Sequence, residues 1–404
     1  MTLKLDQVYG QVAAMSAALA TSRDELVNRV ERAVTEWGSD WADEDRVRGK
    51  VEAAKTSWLL ARPLEQPGSY PLSDVAPPSW RVLATDGSQI EVSRHEIASC
   101  FLVNVGEVVL DYGDEPGARL SSAPSLYFEP EDIYPIYGDE ERAADGAIVG
   151  AVRDTQEFHR LAELARAADR PAAALVDGTL ILWRDETNPR GLANLAPDDV
   201  KRRRLDAMLE LFEAGEQAGV PVVGYVSSPG GSDVVNSLKV LICPEHPVDC
   251  DRCPFTPKDM RPSAVTDKPC DAVLRVTDAT MFRRLLKAGE RSPLFWSGAP
   301  VLEAYGRHRV AFCYLDAGEE IARLEVPAYV ATSPELMSFA HWAAVDQARR
   351  GRGYPVALAE AHEQAIVRWA DREAFFRLVA QRFVREGHRV VLSAKQLRKR
   401  GALV

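Results

Sequence analysis

The sequence predicts an α/β protein, a mixed sheet flanked by helices, and three observations carry that expectation. Short apolar, partly β-branched runs alternate with amphipathic stretches of helical length from about residue 80 onward. Two of the runs close alike: residues 81–84 run into Asp86-Gly87-Ser88, and residues 172–176 run into Asp177-Gly178-Thr179. The order along this region is three strands, helix, strand, helix, strand.

Residues 1–62 read as a helical arm. Val8, Val12, Met15 and Leu19, then Leu26, Val30 and Val34, recur at helical spacing, so an amphipathic face packs on the body or on a second subunit. Residues 63–79 are proline-rich and read as a linker. The main domain is expected over residues 80–395. It opens with a meander of strands at 81–84, 97–103 and 107–112, the last two joined by Asn104-Val105-Gly106 as a hairpin turn. Residues 111–146 are acidic and proline-bearing, an irregular insertion. A helix over 148–168 offers Val149, Val152, Phe158, Leu161, Leu164 and Ala165 to the core.

The second Asp-Gly strand is followed by a loop through Asn188-Pro189-Arg190-Gly191, a helix over 197–218 stopped by Gly219, and a strand at 220–226. An insertion at 228–290 carries four of the six cysteines. Strands are expected at 310–315 and 325–329. Gly353-Tyr354-Pro355 introduces a helix to 372 with Pro355 in its first turn, helix continues over 373–387, a last strand runs over 389–393, and 396–404 is a basic tail.

With 404 residues, 46% of them hydrophobic, the chain can bury a large core in one elaborated domain or two. No run is long enough to span a membrane and the start lacks the apolar core of a signal peptide, so a cytoplasmic protein is expected. A net charge of −11 argues against coating nucleic acid over the whole surface. Local basic clusters remain, at Lys201-Arg202-Arg203-Arg204, at Arg283, Arg284 and Lys287, at Arg349, Arg350 and Arg352, and in the tail. Arg202, Arg203, Arg349 and Arg350 are the candidate DNA contacts.

The chemistry centres on the two aspartates. An Asp-Gly pair ordinarily makes a turn. Two strands lying side by side would instead bring Asp86 and Asp177 together, and close carboxylates are costly unless a cation neutralises them, which points to a divalent metal. Val176-Asp177-Gly178-Thr179-Leu180 matches the end of the haloacid-dehalogenase phosphatase signature, but Leu175 stands where that family needs its nucleophilic aspartate.

Several short motifs in order resemble the NurA nucleases: Asp86-Gly87-Ser88, an acidic helix before the second aspartate, Val176-Asp177-Gly178, Gly224-Tyr225-Val226-Ser227, and Gly353-Tyr354-Pro355-Val356-Ala357-Leu358-Ala359-Glu360-Ala361-His362. The resemblance implies a ribonuclease-H-like (Piwi-like) core. It also implies a manganese-dependent nuclease that cuts single-stranded DNA internally and resects duplex ends 5′ to 3′. Such proteins are usually homodimers working with a hexameric HerA-type ATPase. Carried onto this chain, the catalytic and metal-binding residues are Asp86, Asp177, a helix carboxylate placed at Glu157 with Glu163 as the alternative register, and His362. Carboxylates with an imidazole suit Mn²⁺ better than Mg²⁺, which stays possible.

Cys243, Cys250, Cys253 and Cys270 stand with six, two and sixteen residues between them, a metal signature. A structural zinc is the first reading and an iron–sulfur cluster the second. The first two spacings resemble those of iron–sulfur DNA glycosylases, and the third departs from them. Cys100 and Cys313 lie in apolar runs and are expected in the core. The competing function classes are a non-catalytic adaptor capping a DNA-translocating ATPase, and a transposase or resolvase, for which no DNA-reading module is found.

Overall fold

The first apolar run does not stop at Asp86: in this computed structural model the strand Trp80–Ile90 continues through Asp86-Gly87-Ser88. It pairs antiparallel with Phe101–Tyr112 over its whole length, and that strand pairs antiparallel with Gly117–Tyr127. The expected hairpin at Asn104-Val105-Gly106 is therefore not formed, because these residues lie in mid-strand. The third strand of the meander is Gly117–Tyr127, within the stretch expected to be irregular. It is exposed over nearly its whole length, so neither face needs apolar side chains and its sequence shows no alternation.

On its other side Trp80–Ile90 pairs in parallel with Ala172–Asp177, which pairs in parallel with Val222–Val226. Ala172 to Val176 are all buried, as a strand covered on both faces requires, and hence read as a continuous apolar run. The helix Gly146–Arg166 starts where the Asp145 side chain accepts from Ala147 N and Ile148 N, and it turns Ile148, Val149, Phe158, Leu161 and Leu164 inward. It packs on the first two strands and on the helix Asp198–Ala218.

The structure describes residues 4–41, 43–73, 77–92, 98–137, 140–141, 143–183, 198–256 and 268–387. The expected loop at Asn188-Pro189-Arg190-Gly191, the strand at 389–393 and the tail at 396–404 lie outside the described residues. The chain splits into two compact units, one of Met1–Leu72, Val226–Leu302 and Arg309–Glu325, the other of Ser73–Tyr225, Glu303–His308 and Val326–Val404. No helix among the described residues is long and apolar enough to cross a membrane.

In the first unit the N-terminal stretch forms two helices, Leu5–Asp40 and Glu44–Ala53, the second capped by the Asp43 side chain accepting from Arg46 N at 3.0 Å. Val30, Ala33, Trp37, Trp41, Val47 and Val51 enter the same core as Val234, Leu238, Phe282 and Phe295, whereas Leu5, Tyr9, Val12, Met15 and Leu19 stay exposed. Arg62–Pro63, Phe295–Trp296, Val310–Asp316 and Ile321–Pro327 are its strands in sheet order. The strand expected at 325–329 thus ends at Pro327, where the short helix Ala328–Ala331 begins.

In the second unit a helix not expected from the sequence, Pro334–Arg350, starts at Ser333, whose side chain accepts from Leu336 N. Pro355 caps the next helix, Val356–Ala365, instead of standing in its first turn. That helix ends at Ile366, and a separate one, Trp369–Arg385, follows.

Candidate active site

Register places the two aspartates. Thr85 pairs with Val176 across neighbouring parallel strands, so the next residues, Asp86 and Asp177, are level on backbones about 4.8 Å apart. Here the two Asp-Gly pairs part company. The strand ends at Asp177, and Gly178 takes φ +88°, a left-handed turn as expected. Gly87 stays extended in its strand, and its missing Cβ serves a different end: a Cβ there would meet Glu157 Oε1 and lie 2.6 Å from Arg153 Cγ. The glycine therefore lets the helix Gly146–Arg166 bring Glu157 against the strand beside Asp86. The Thr85 hydroxyl fixes this register by donating to the Glu157 carbonyl at 3.1 Å.

Of the two candidate helix carboxylates, Glu157 is the one brought beside Asp86. Its side chain is 15% exposed, while that of Glu163 is 59% exposed and paired with Arg160. Burial, then Asp154, holds the Glu157 carboxyl well above the usual range, and Asp86 adds to this against the pull of Arg153. Arg153 Nε lies 3.0 Å from Glu157 Oε1, an ion pair by distance, yet neither atom makes a hydrogen bond among the described residues. Burial and then Asp86 also raise the Asp177 carboxyl, with a hydrogen bond from the Tyr354 hydroxyl and the nearby His362 acting against them.

His362 is delivered by a helix fastened at both ends. At its start Ala357 N donates to the buried Gln347 Oε1 at 3.1 Å. At its end the Ala365 carbonyl accepts from Ser88 Oγ at 2.5 Å and from Asn104 Nδ2 at 2.7 Å. Gly106 makes the seat: a Cβ there would stand 2.5 Å from both Ala361 O and Ala365 N. Ala357, Leu358, Ala361 and Ala365 form the buried face, and His362 stands beside it with Nδ1 2.7 Å from Asp86 Oδ2. The sequence reading missed Tyr354, Arg153 and these fastenings, although Tyr354 belongs to the closing motif and Arg153 precedes Glu157 by one helical turn.

The sequence model of the NurA domain matches residues 81–367, from the first aspartate strand to just past the histidine helix. The chain belongs to the NurA family. In structure it is similar to the NurA nuclease from Sulfolobus solfataricus, with a TM-score of 0.51 and 11% identity, over 95% of this chain and 98% of that one. That likeness bears on the fold, a mixed α/β architecture of the NurA kind with its sheet flanked by helices. No curated protein matches the sequence. Family membership supports a nuclease role, the hydrolysis of phosphodiester bonds.

All four candidate DNA contacts, Arg202, Arg203, Arg349 and Arg350, are exposed, and two of them are paired. Arg203 lies 3.7 Å from Asp199, and Arg350 is held by Asp346 at 2.6 Å and stacks over Tyr112. In the other unit Cys243, Cys250, Cys253 and Cys270 are free thiols around one cavity. Among the described residues no three His, Cys, Asp or Glu side chains form a group that could hold one metal ion, so neither the tetrahedral zinc clip expected there nor the expected set of Asp86, Glu157, Asp177 and His362 is a converged ligand set. Cys100 and Cys313 are buried, and burial pushes the Cys313 thiol up to about 12.

Proposed function

We propose that this NurA-family chain is a manganese-dependent DNA nuclease, cutting single strands internally and resecting duplex ends 5′ to 3′. We place it in the cytoplasm as a homodimer, acting in end resection and double-strand break repair with a HerA-type hexameric ATPase. The observation that carries the reading is the level placement of Asp86 and Asp177, with His362 hydrogen-bonded to the first and Tyr354 to the second.

The chemistry of the donor set suits a divalent cation, which would have to draw the side chains together, since among the described residues no three of them form a ready single-ion group. Asp86 repels both Glu157 and Asp177, burial raises both of these, and Glu157 Oε1 is buried without a hydrogen-bond partner among the described residues. Asp86, Glu157, Asp177 and His362 would hold it, and their mixed oxygen and nitrogen donors suit Mn²⁺, with Mg²⁺ the alternative. When bound, the ion supplies Lewis-acid stabilisation of the phosphodiester oxygens and eases ionisation of the attacking water. The chain's own residues do the positioning. Asp86 holds the His362 ring through Nδ1, which leaves Nε2 as the donor atom. Tyr354 orients Asp177, and Arg202, Arg203, Arg349 and Arg350 would take phosphates of the bound strand.

The 404 residues contain no GxxxxGK[ST] nucleotide loop, so movement along DNA needs a partner motor. The test is cleavage of labelled single-stranded DNA with Mn²⁺, with Mg²⁺ and with chelator, then resection of a long duplex with and without the ATPase. Cleavage that requires a divalent ion and is fastest with Mn²⁺ is expected, as is long resection only in the ATP-fuelled mixture. No cleavage under any metal would leave the non-catalytic adaptor. Equal ATP-independent resection in both mixtures would remove the motor.

A further inference from the structure

We propose that Cys243, Cys250, Cys253 and Cys270 hold an iron–sulfur cluster of the four-iron type, because the four thiols surround a space instead of converging on a point. Each comes from a separate feature of one unit. Cys243 caps the end of the helix Asp233–Ile242, Cys250 opens the 3-10 turn Cys250–Arg252, Cys253 closes it, and Cys270 sits in the turn Pro269–Val273. All four are half-buried and line the same cavity.

The size of the occupant follows from how thiolates bind. A lone zinc with bonds of about 2.3 Å draws its four sulfurs to about 3.8 Å from one another. Among the described residues no three such side chains form a single-ion group, so zinc would require the thiols to close in. A cluster puts its own irons and sulfides at the centre and takes one thiolate at each corner, so its ligands stand around a cavity.

The cage is held open by the fold and does not wait for metal. Cys250 N donates to Lys55 O at 2.9 Å, Lys55 N to Val248 O at 2.8 Å, and the Asp249 side chain accepts from Asp251 N and Arg252 N. Lys50 Nζ donates to Leu241 O at 3.0 Å and to the Cys243 carbonyl. Val248, Val273 and Val276 are buried in the unit's core, so the segment is less dependent on metal for its shape than its sequence implies. The remaining walls suit an anionic, water-sensitive group. Lys239 and Lys268 line the cavity opposite in sign to Glu245 and Asp249, which line it too, and Trp58 and Phe255 add apolar surface. Lys239 is itself steadied by Asn236 Oδ1 at 2.9 Å and by the Trp58 ring.

The full chain, purified without oxygen from iron-replete cells, should be brown, with about four iron and four sulfide per chain. Cys253→Ser should lose both together, whereas Cys313→Ala should keep them. Should Cys253→Ser fail to fold, the parent protein stripped of metal and reconstituted with ferrous iron and sulfide decides, by regaining the visible absorption and the stoichiometry. One zinc per chain with no iron, both as isolated anaerobically and after reconstitution, would overturn the cluster. Neither metal bound under either condition would overturn the site.

Discussion

Asp233, Asp278 and Glu325 in one unit and Asp86, Glu157 and Asp177 in the other are two gatherings of acids, and they are neutralised in opposite ways. In the first, exposures of 6%, 0% and 2% leave water no part in solvation, and the fold supplies the partners. Arg323 gives Nη1 to Asp233 at 3.0 Å and Nε to Glu325 at 2.8 Å. Asp278 accepts from Val234 N, Val235 N and the Tyr314 hydroxyl, at the positive end of the helix Asp233–Ile242. In the second gathering the cation beside Glu157, Arg153, is shared with Asp154, Glu157 Oε1 is left without a hydrogen bond among the described residues, and His362 is 60% exposed at the side chain. A gathering in which the fold gives every acid its donors marks structure, and one that leaves a buried carboxylate oxygen without a donor marks a place where something charged is to bind.

Crossed substitutions give the largest contrast. Asp86→Asn and Asp177→Asn should each cut cleavage below about one thousandth of the parent rate, while the melting temperature holds or rises because repulsion is relieved. Asp278→Ala should do the reverse, costing about 3 kcal/mol by leaving buried donors unpaired, with cleavage by the folded fraction retained. Parallel melts and cleavage assays decide. A site variant that cuts normally, or an Asp278 variant as stable as the parent, would erase the distinction.

How far the sequence could reach is itself explained by these residues. The order of strands and helices up to residue 226, and the stretches that bring Asp86, Asp177 and His362 near one another, were legible, because buried parallel strands read as apolar runs and the closing motif is contiguous. The differences at Asp86-Gly87-Ser88 and Asn104-Val105-Gly106 share one cause: polar and glycine residues inside strands look like turn signals. Gly87 and Gly106 are there to admit a helix, Asn104 is there to hold its last carbonyl, and only Gly178 turns the chain. From one sequence, a glycine needed for close approach looks the same as one needed for φ above zero. The Glu157 register was invisible for a related reason, since it is set by Thr85 and Gly87 across space.

Alanine at the three glycines separates those roles. Gly106→Ala meets backbone atoms of the histidine helix, which cannot swing aside, so it should cost about 3 kcal/mol and activity with it. Gly87→Ala meets the movable side chains of Glu157 and Arg153 and should cost only about 1 kcal/mol of stability, yet depress cleavage by displacing Glu157. Gly178→Ala meets nothing within 4 Å and should cost about 1 kcal/mol through its φ of +88° alone. Equal melting temperatures for the Gly87 and Gly106 variants would refute the packing account.

For His362→Ala the expected loss is roughly 10- to 100-fold in activity, the scale of weakening one ligand of a metal site. Raising Mn²⁺ should recover part of it, because affinity has been lost and the carboxylates remain. The Asp86 and Asp177 variants should not recover. A Mn²⁺ titration of all three tests this, and parental activity of His362→Ala at low Mn²⁺ would take the residue out of the site.

The smallest effect sharpens the structural side of the contrast. Burial, with Asp233 beside it, pushes the Asp278 carboxyl up to about 7, even though two backbone N–H groups and the Tyr314 hydroxyl pull it down. The folded value lies above the ordinary carboxylate value of 3.8, so the folded chain holds the proton more tightly than the unfolded chain does. The stability this contributes is complete below the unfolded value, declines as pH rises, and is gone above the folded one. Chemical denaturation with chelator present should therefore show the chain losing about 1 kcal/mol from Asp278 between about pH 6 and about pH 8. Asp278→Asn cannot titrate and should flatten that part of the slope. An identical slope in parent and variant would mean that the three donors outweigh burial and that Asp278 is ionised throughout, leaving the acids of this unit fully compensated by the fold.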